Sequence, residues 1–428
     1  MKRTIDDFLD VEYRDYAEVV SFKRALPCII DGFKPVRRKI FYYMKKSNGE
    51  FIRVSSIAGG LAEKCNYHHG EASAQQTIIN MSKDFPSSNN IPILLPKGSF
   101  GSKLLPKSAA QARYIHSKYN PLMDYIYLDN ELTPAATDLE DPEPEFYLPI
   151  IPMFLVNGIS GIGIGYAVKI LPRSIRDVIR LTETTLESIQ IDEPIVYYQN
   201  CNYNVQRVTN SSFRITGNYK IKDNTVEISE FLPGDDRSKI CENLLSLKDS
   251  GIITDFKDES KEEFKIIVKL GKSLTEQQIV DKLNISKVFH ENYTLLDEHG
   301  SIKVFNSITE IVKYFVDYRL KIYTQRKELK TKQWRYEIEK RHAIIMFIQD
   351  IDQVTKMNEP EIKKLFKGRI SEELIKYCLN KPLQSFLKMN VKKLESEIKE
   401  LEKQIVSYNK ISEKELYLKD LKILKEKI

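Results

Sequence analysis

One run of residues in the last third of the chain sets the scale of the molecule. From Ser307 onward the sequence reads as helix. It starts with Ser307 and Glu310 at the spacing of a reciprocal helix cap and continues through "IVKYFVDYRLKIYTQRKELKTKQWRYEIEKRHAIIMFI". An unbroken helix of ~40 residues would be ~60 Å long. Beyond it, Leu387, Val391, Leu394, Ile398, Leu401 and Ile405 recur at spacings of 4, 3, 4, 3 and 4, a heptad seam among Lys and Glu. Two long helices separated by "EPEIKKLFKGRISEELIKYCLNKPLQSFL" predict an antiparallel coiled coil with a helical knob at its far end. Ser412 and Glu415 then cap a last helix. Such a stalk binds no nucleotide and catalyses nothing; its part is spacing or dimerisation.

The rest of the chain is of a different kind. With 428 residues, two or three domains are expected, and a 42% hydrophobic content excludes a disordered chain. No stretch approaches the ~20 apolar residues of a membrane span. The acidic start "MKRTIDDFLD" is not a signal peptide. Five scattered cysteines, Cys28, Cys65, Cys201, Cys241 and Cys378, point to a reducing, cytoplasmic setting without a structural zinc. The fold class is therefore α+β and multidomain. Residues 1–170 pair short helices with strands: "VRRKIFYYMKK" after Pro35, then helix, turn and helix through "SSIAGGLAEK", "CNYHHGE" and "ASAQQTIINMSKDF", then a strand in "IPILLPKGSFGS". That order suits a winged-helix domain. Residues 171–306 alternate as strands in "FRITGNYKIKDNTVEISEF", with a turn at Asp223-Asn224. They continue through the helix "SKICENLLSLKDSGI" and the strand "EFKIIVKL" to a hairpin around His299-Gly300. Residues 307–428 are the stalk.

Charge and motifs narrow the chemistry. The net charge of +6 is a small difference between 66 basic and 60 acidic residues and says little. Its distribution says more: residues 31–53 hold seven Lys/Arg against two Asp/Glu, the footprint that phosphate backbones select for, or else a solvated helix face. In "KSAAQARYIHSKYN", residues 107–120, Arg113 stands beside Tyr114. A phenol with an ordinary pKa near ~10 is a poor nucleophile unless a cation, base or metal favours its oxyanion. Arg113 offers a permanent cation with a bidentate donor set for phosphate oxygens. Spacing alone leaves Tyr114 open between an ordinary aromatic and a nucleophile, with His116 as a neighbouring base. His68-His69, three residues after Cys65, are either turn histidines or phosphate donors; a metal site there lacks the usual ligand spacing. "NGISGIGIGYA" has neither dinucleotide-loop spacing nor a Walker lysine, and suits a tight hairpin. Ile162 within it is either a core residue or a wedge between base pairs. Asp235-Asp236 read as a solvated turn. Any Mg²⁺ chemistry would need ligands from another chain.

Taken in order, "YRDYAEVVSFKRALPCIIDGFKPVRRKIFYYM", "YHHGEASAQQTI", "PKGSFGS", "AAQARY", "YLPIIPMFLVNGISGIGIGYA" and "LPRSIRDVI" resemble the DNA breakage-reunion part of type IIA DNA topoisomerases. The likeness is greatest to the medium subunit of the T-even phage enzyme and to the corresponding half of eukaryotic topoisomerase II. The A subunit of DNA gyrase is more distant. The resemblance implies a winged-helix domain, a tower domain, and a coiled coil ending in an exit gate. It implies that Tyr114 is the nucleophile forming a 5′-phosphotyrosyl bond, assisted by Arg113, Arg24 and His69. It implies DNA contacts from Lys34, Arg38, His68, Gln76, Lys97 and Ser99, and DNA bending by Ile162. A homodimer is expected, since two tyrosines are needed to cut both strands of double-stranded DNA. Mg²⁺ and ATP are expected on an ATPase/Toprim partner subunit. Two rivals keep part of the pattern: a non-catalytic DNA-binding dimerisation protein, and a metal-independent tyrosine strand-transferase whose cleavage a chelator would spare.

Overall fold

The structure is a computed structural model describing residues 5–382, 386 and 390–428. Two compact units divide it: Met1–Arg319 with Asp420–Ile428, and Leu320–Lys419.

In the first unit, a helical stretch over 5–25 leads to a turn and the Pro35–Lys45 helix. Proline at the helix start costs no hydrogen bond, because the first amides of a helix have no intrahelical partner. This helix sends Ile40, Phe41 and Met44, at helical spacing, into a core shared with Phe33, Tyr119, Tyr127 and Tyr147. Asp31 organises the buried turn ahead of it. Its carboxylate accepts from the Phe33 and Tyr147 amides at 2.9 and 3.1 Å and from the Arg38 guanidinium at 2.8 Å. The Val54–Lys64 and Glu71–Ser82 helices follow, packed on each other and on the Pro35–Lys45 helix. A three-stranded antiparallel sheet in the order β1-β3-β2 (Ile52–Arg53, His116–Tyr119, Leu94–Lys97) closes this core. A separate hairpin pairs β4, Ile159–Ile162, with β5, Ala167–Ile170.

Two further sheets fill residues 204–290: β12-β7-β6 (Ser286–His290, Ser212–Thr216, Asn204–Thr209) and β10-β11-β9-β8 (Ile253–Asp258, Ile266–Leu270, Thr225–Ile228, Tyr219–Lys222). Asp223, in the left-handed region at φ 52°, makes the expected two-residue turn between β8, Tyr219–Lys222, and β9, Thr225–Ile228. The Arg237–Asp249 helix and alternate residues of β9 and β11, Ile266–Leu270, close an apolar core over Val226, Ile228, Ile266 and Val268. The expected hairpin at His299-Gly300 is present between β13, Tyr293–Leu296, and β14, Ile302–Phe305. Gly300 sits at φ 77°, and the Asp297 side chain caps the turn amides of His299 and Ser301.

The Ile308–Gln349 helix is 42 residues long. Ser307 Oγ accepts from the Glu310 amide at 3.1 Å, while the Glu310 carboxylate takes the Asn306 amide rather than that of Ser307. In the second unit this helix runs antiparallel to the Val391–Lys410 helix: residue 327 meets 409, 331 meets 409, 334 meets 408 and 341 meets 397. Of the heptad residues, Ile398 is buried while Val391, Leu394, Leu401 and Ile405 are half-buried; Leu387 lies outside the described residues. The knob between the helices packs Phe347, Ile362, Phe366, Leu374 and Ile375 together, with the Phe347 and Phe366 rings stacked 4.4 Å apart. Ser412 and Glu415 exchange side-chain and amide bonds at the start of the Glu413–Lys425 helix.

Candidate active site

Tyr114 stands on a turn that other segments hold by its backbone. Its amide donates to the Gln111 carbonyl at 2.9 Å. The Val54 and Ser55 amides, the first two of the Val54–Lys64 helix, donate to the carbonyls of Ile115 and Ala112 at 3.0 and 3.2 Å. These amides have no partner within their own helix, so the turn satisfies them and sits against the positive end of the helix. On the other side, the Ala110 amide donates to the Ser99 carbonyl, and Phe100 pairs with Ala109. Gly98, at φ +107°, lies where a Cβ would come within 2.9 Å of the Ile115 side chain. The "PKGSFGS" loop and the tyrosine turn therefore run side by side, bringing Lys97 and Ser99 to the same place.

The side chain itself is free. Tyr114 is 66% exposed, and among the described residues nothing hydrogen-bonds its hydroxyl. The Arg113 guanidinium lies 5.0 Å from the ring centroid, stacked as a cation on the aromatic face. The pair thus offers an accessible oxygen beside a fixed positive charge.

A second assembly carries Ile162 and Arg24. The β4-β5 hairpin ends in a tip where the Gly163 amide donates to the Tyr166 carbonyl, and Ile162 is 88% exposed there. The alternative of a core isoleucine is thereby overturned: alternation along β4 buries Ile159 and turns Ile162 outward. The hairpin lies on the Ser21–Ala25 segment, which holds the exposed Arg24. Ser21 Oγ bonds both the amide and the carbonyl of Ile164 at 3.3 Å, and Lys34 Nζ donates to the Ser160 carbonyl at 2.9 Å. A Cβ on Gly161 would stand 2.0 Å from the Ala25 carbonyl oxygen, so only glycine permits this approach. Burial, with help from Arg37 nearby, pushes the Lys34 ammonium down to about 8.

His68 and His69 are exposed at the entry to the Glu71–Ser82 helix, His69 edge-on to the Tyr67 ring at 5.5 Å. Gln76 is exposed on the same helix, bonded to Asn80 at 3.1 Å. No hydrogen bond or ring contact among the described residues joins His69 or Arg24 to Tyr114. Arg38 departs from its expectation. It is buried and committed to Asp31, so it holds the turn before its own helix instead of facing a DNA backbone.

Sequence reasoning also passed over Lys103 and Leu104, between the "PKGSFGS" loop and Tyr114. Leu104 is buried in the apolar core of the β10-β11-β9-β8 sheet, far away in sequence. The Lys103 ammonium bonds the buried Glu230 at 2.7 Å and also Glu263. The Arg237 amide donates to the Leu104 carbonyl at 2.8 Å. The available signal was two adjacent leucines in a stretch otherwise rich in loop residues.

The comparisons with known proteins agree with one another. The sequence profile of the family described as DNA gyrase/topoisomerase IV, A subunit, matches residues 24–425. The chain is 32% identical over 389 residues to the mitochondrial DNA topoisomerase 2 of Dictyostelium discoideum, covering 87% of this chain and 29% of that protein. It is 32% identical over 377 residues to DNA topoisomerase 2 of Saccharomyces cerevisiae, covering 83% and 26% respectively. The chain thus spans under a third of the length of these relatives. Among solved structures, the DNA-binding, cleavage and re-ligation domain of Plasmodium falciparum topoisomerase II superposes with a TM-score of 0.85. Identity there is 26%, covering 98% of this chain and 64% of that one.

Proposed function

Since the chain belongs to the family of DNA gyrase and topoisomerase IV A subunits, we propose that it is the cleavage and rejoining part of a type II DNA topoisomerase, with Tyr114 as the nucleophile. The observation that carries this reading is the exposed Tyr114 on a backbone-pinned turn, with the Arg113 cation on its ring. The Tyr114 oxygen attacks a backbone phosphorus and forms an O–P bond. The bond from phosphorus to the 3′-oxygen breaks, the phenolic proton leaves to a base, and the 3′-oxygen takes up a proton. Trapping the strand end as a phosphotyrosine conserves a phosphodiester-like bond, so the same step run backwards reseals the DNA. Arg113 and the positive helix end beside the turn favour the charge on the phosphate oxygens. Arg24 and His69 complete the site in this reading, and Lys34, His68, Gln76, Lys97 and Ser99 hold the DNA. Exposed Ile162 wedges between base pairs, at a cost of a few kcal/mol that backbone contacts offset.

Residues 1–170 are read as the winged-helix cleavage domain, 171–306 as the tower, and 307–428 as the coiled coil and exit gate of a homodimer. Among the described residues, no three His, Cys, Asp or Glu side chains gather as a metal site. In this reading Mg²⁺ and ATP belong to a partner with ATPase and Toprim modules, and no step above runs through them. The test is covalent trapping: the chain with its partner, stopped with denaturant on labelled duplex DNA. Tyr114→Phe is expected to abolish the adduct while duplex binding persists. Adducts surviving in that variant would sink the assignment, and robust relaxation of supercoiled DNA by the pure chain would remove the need for a partner.

A further inference from the structure

The Tyr114 turn stands at one end of an irregular hairpin, residues 99–110, whose other end is seated in a different sheet. At the neck, the Ala110 amide donates to the Ser99 carbonyl at 2.9 Å and Phe100 pairs with Ala109. At the tip, the Leu105 carbonyl accepts from both the Ser102 and Ser108 amides, at 3.1 and 3.2 Å. Two strands joined by so few bonds do not hold a shape by themselves. The tip is held from outside. Leu104 fills the core of the β10-β11-β9-β8 sheet, and Leu105 packs against that core. The Leu104 carbonyl takes the Arg237 amide at 2.8 Å. The Lys103 ammonium meets the buried Glu230 carboxylate at 2.7 Å and also Glu263. Glu230 is fixed in turn: its amide and carbonyl each exchange a bond of 3.1 Å with Asn218. A Cβ on the facing Gly217 would stand 2.0 Å from the Glu230 carbonyl oxygen.

We propose that Lys103 is a positioning residue for strand cleavage: through Glu230 it fixes how deeply the 99–110 hairpin sits in the β10-β11-β9-β8 sheet, and with that the place of the Tyr114 oxygen. The inference rests on the cleavage reading above. Stability alone does not call for a charge here. A buried ion pair recovers little beyond the cost of desolvating its two ions, and apolar residues of similar volume serve stability as well. What the pair adds is a single geometry. An apolar plug such as Leu104 can slide within its socket, whereas an ammonium bound to two carboxylates has one seat. Lys103 is buried and distant in sequence from Tyr114, so it acts only through the hairpin. That suffices, because a misplacement of ~1 Å at the reacting atoms can cost ~100-fold in rate.

The test uses the full chain with its ATPase-bearing partner on saturating labelled duplex, below the melting temperature of every variant. Single-turnover adduct formation is read beside duplex affinity and hydrogen exchange at the Val54, Ser55, Ala110 and Tyr114 amides, which hold the turn. Lys103→Met is expected to slow adduct formation by about 10–100-fold at unchanged duplex affinity and to speed exchange at these amides. Lys103→Arg restores both. The deciding variant is Lys103→Met with Glu230→Met, which removes both buried charges. It should regain the melting temperature lost in Lys103→Met while adduct formation stays slow. Ile215→Ala, in the separate core of the β12-β7-β6 sheet, lowers stability without touching the hairpin and should keep the wild-type rate. A wild-type rate in Lys103→Met, a double variant that regains its rate with its melting temperature, or equal slowing in Ile215→Ala each overturns the proposal. Failure of the cleavage reading looks different: the wild-type chain with its partner forms no Tyr114-dependent adduct, and unchanged amide exchange in Lys103→Met then overturns the tether by itself.

Discussion

The Tyr114 turn and the long helix pair fasten themselves in opposite ways. In the turn the backbone is pinned and the side chains are left free: neighbouring segments bond its peptide groups, while the Arg113 cation rests on the exposed Tyr114 ring. In the helix pair the backbone satisfies itself, and side chains do the fastening. Arg341 bonds Glu337 and Glu397, Lys327 reaches the Ile411 carbonyl and Glu413, and Trp334 meets Tyr408 edge-on. The physical reason is the supply of hydrogen bonds. A helix closes its own ladder, whereas an irregular turn must borrow partners from neighbours. Borrowing fixes the turn in place and releases its side chains for chemistry.

If that contrast holds, the turn should be sensitive to distant anchors and the stalk tolerant of losing one. The largest effect is expected at Lys103. Lys103→Met leaves Glu230, 5% exposed, without its cation, and removing one partner of a buried pair costs about 3–5 kcal/mol. Chemical denaturation should read that loss, and adduct formation should fall with it although Lys103 is not at the site. Next comes Gly161→Ala, whose new carbon must push aside the Ala25 carbonyl. Overpacking of this kind costs about 1–3 kcal/mol. It should also cut bending of bound duplex, measured by energy transfer between end labels, because the hairpin tip moves with it.

Arg341→Ala should cost only about 1 kcal/mol or less, as half-exposed ion pairs do. A cost equal to that of Lys103→Met would break the comparison. The smallest effect is the pH dependence of Lys34. Its folded pKa is depressed to about 8, so the folded chain sheds this proton before the unfolded chain does. Stability relative to Lys34→Met should therefore rise from pH ~8 toward the ordinary lysine range and stay flat below pH ~8. Duplex affinity should move the other way, weakening as the cation is lost. Parallel titrations of wild type and Lys34→Met, one by melting and one by anisotropy, separate the two.

Local pattern carried much of this protein. The 42-residue helix, the Ser412–Glu415 cap, and the hairpins at Asp223 and Gly300 follow from helical periodicity, capping side chains and left-handed turn residues. All of these act within a few residues, so they are legible without knowing what lies across the core. The Arg113-Tyr114 pair was legible too, as a constellation with more than one reading. Tertiary structure decided the remainder. Lys34 and Arg38, close together in one basic run, divide into a hairpin prop and a buried partner of Asp31. Ile162 turns outward, since the Ser21–Ala25 segment covers the other side of its hairpin. Leu104 leaves its own stretch to fill a core built from Val226 onward, far along the chain. Burial and charge pairing depend on which distant segments meet, and no short-range period encodes that meeting.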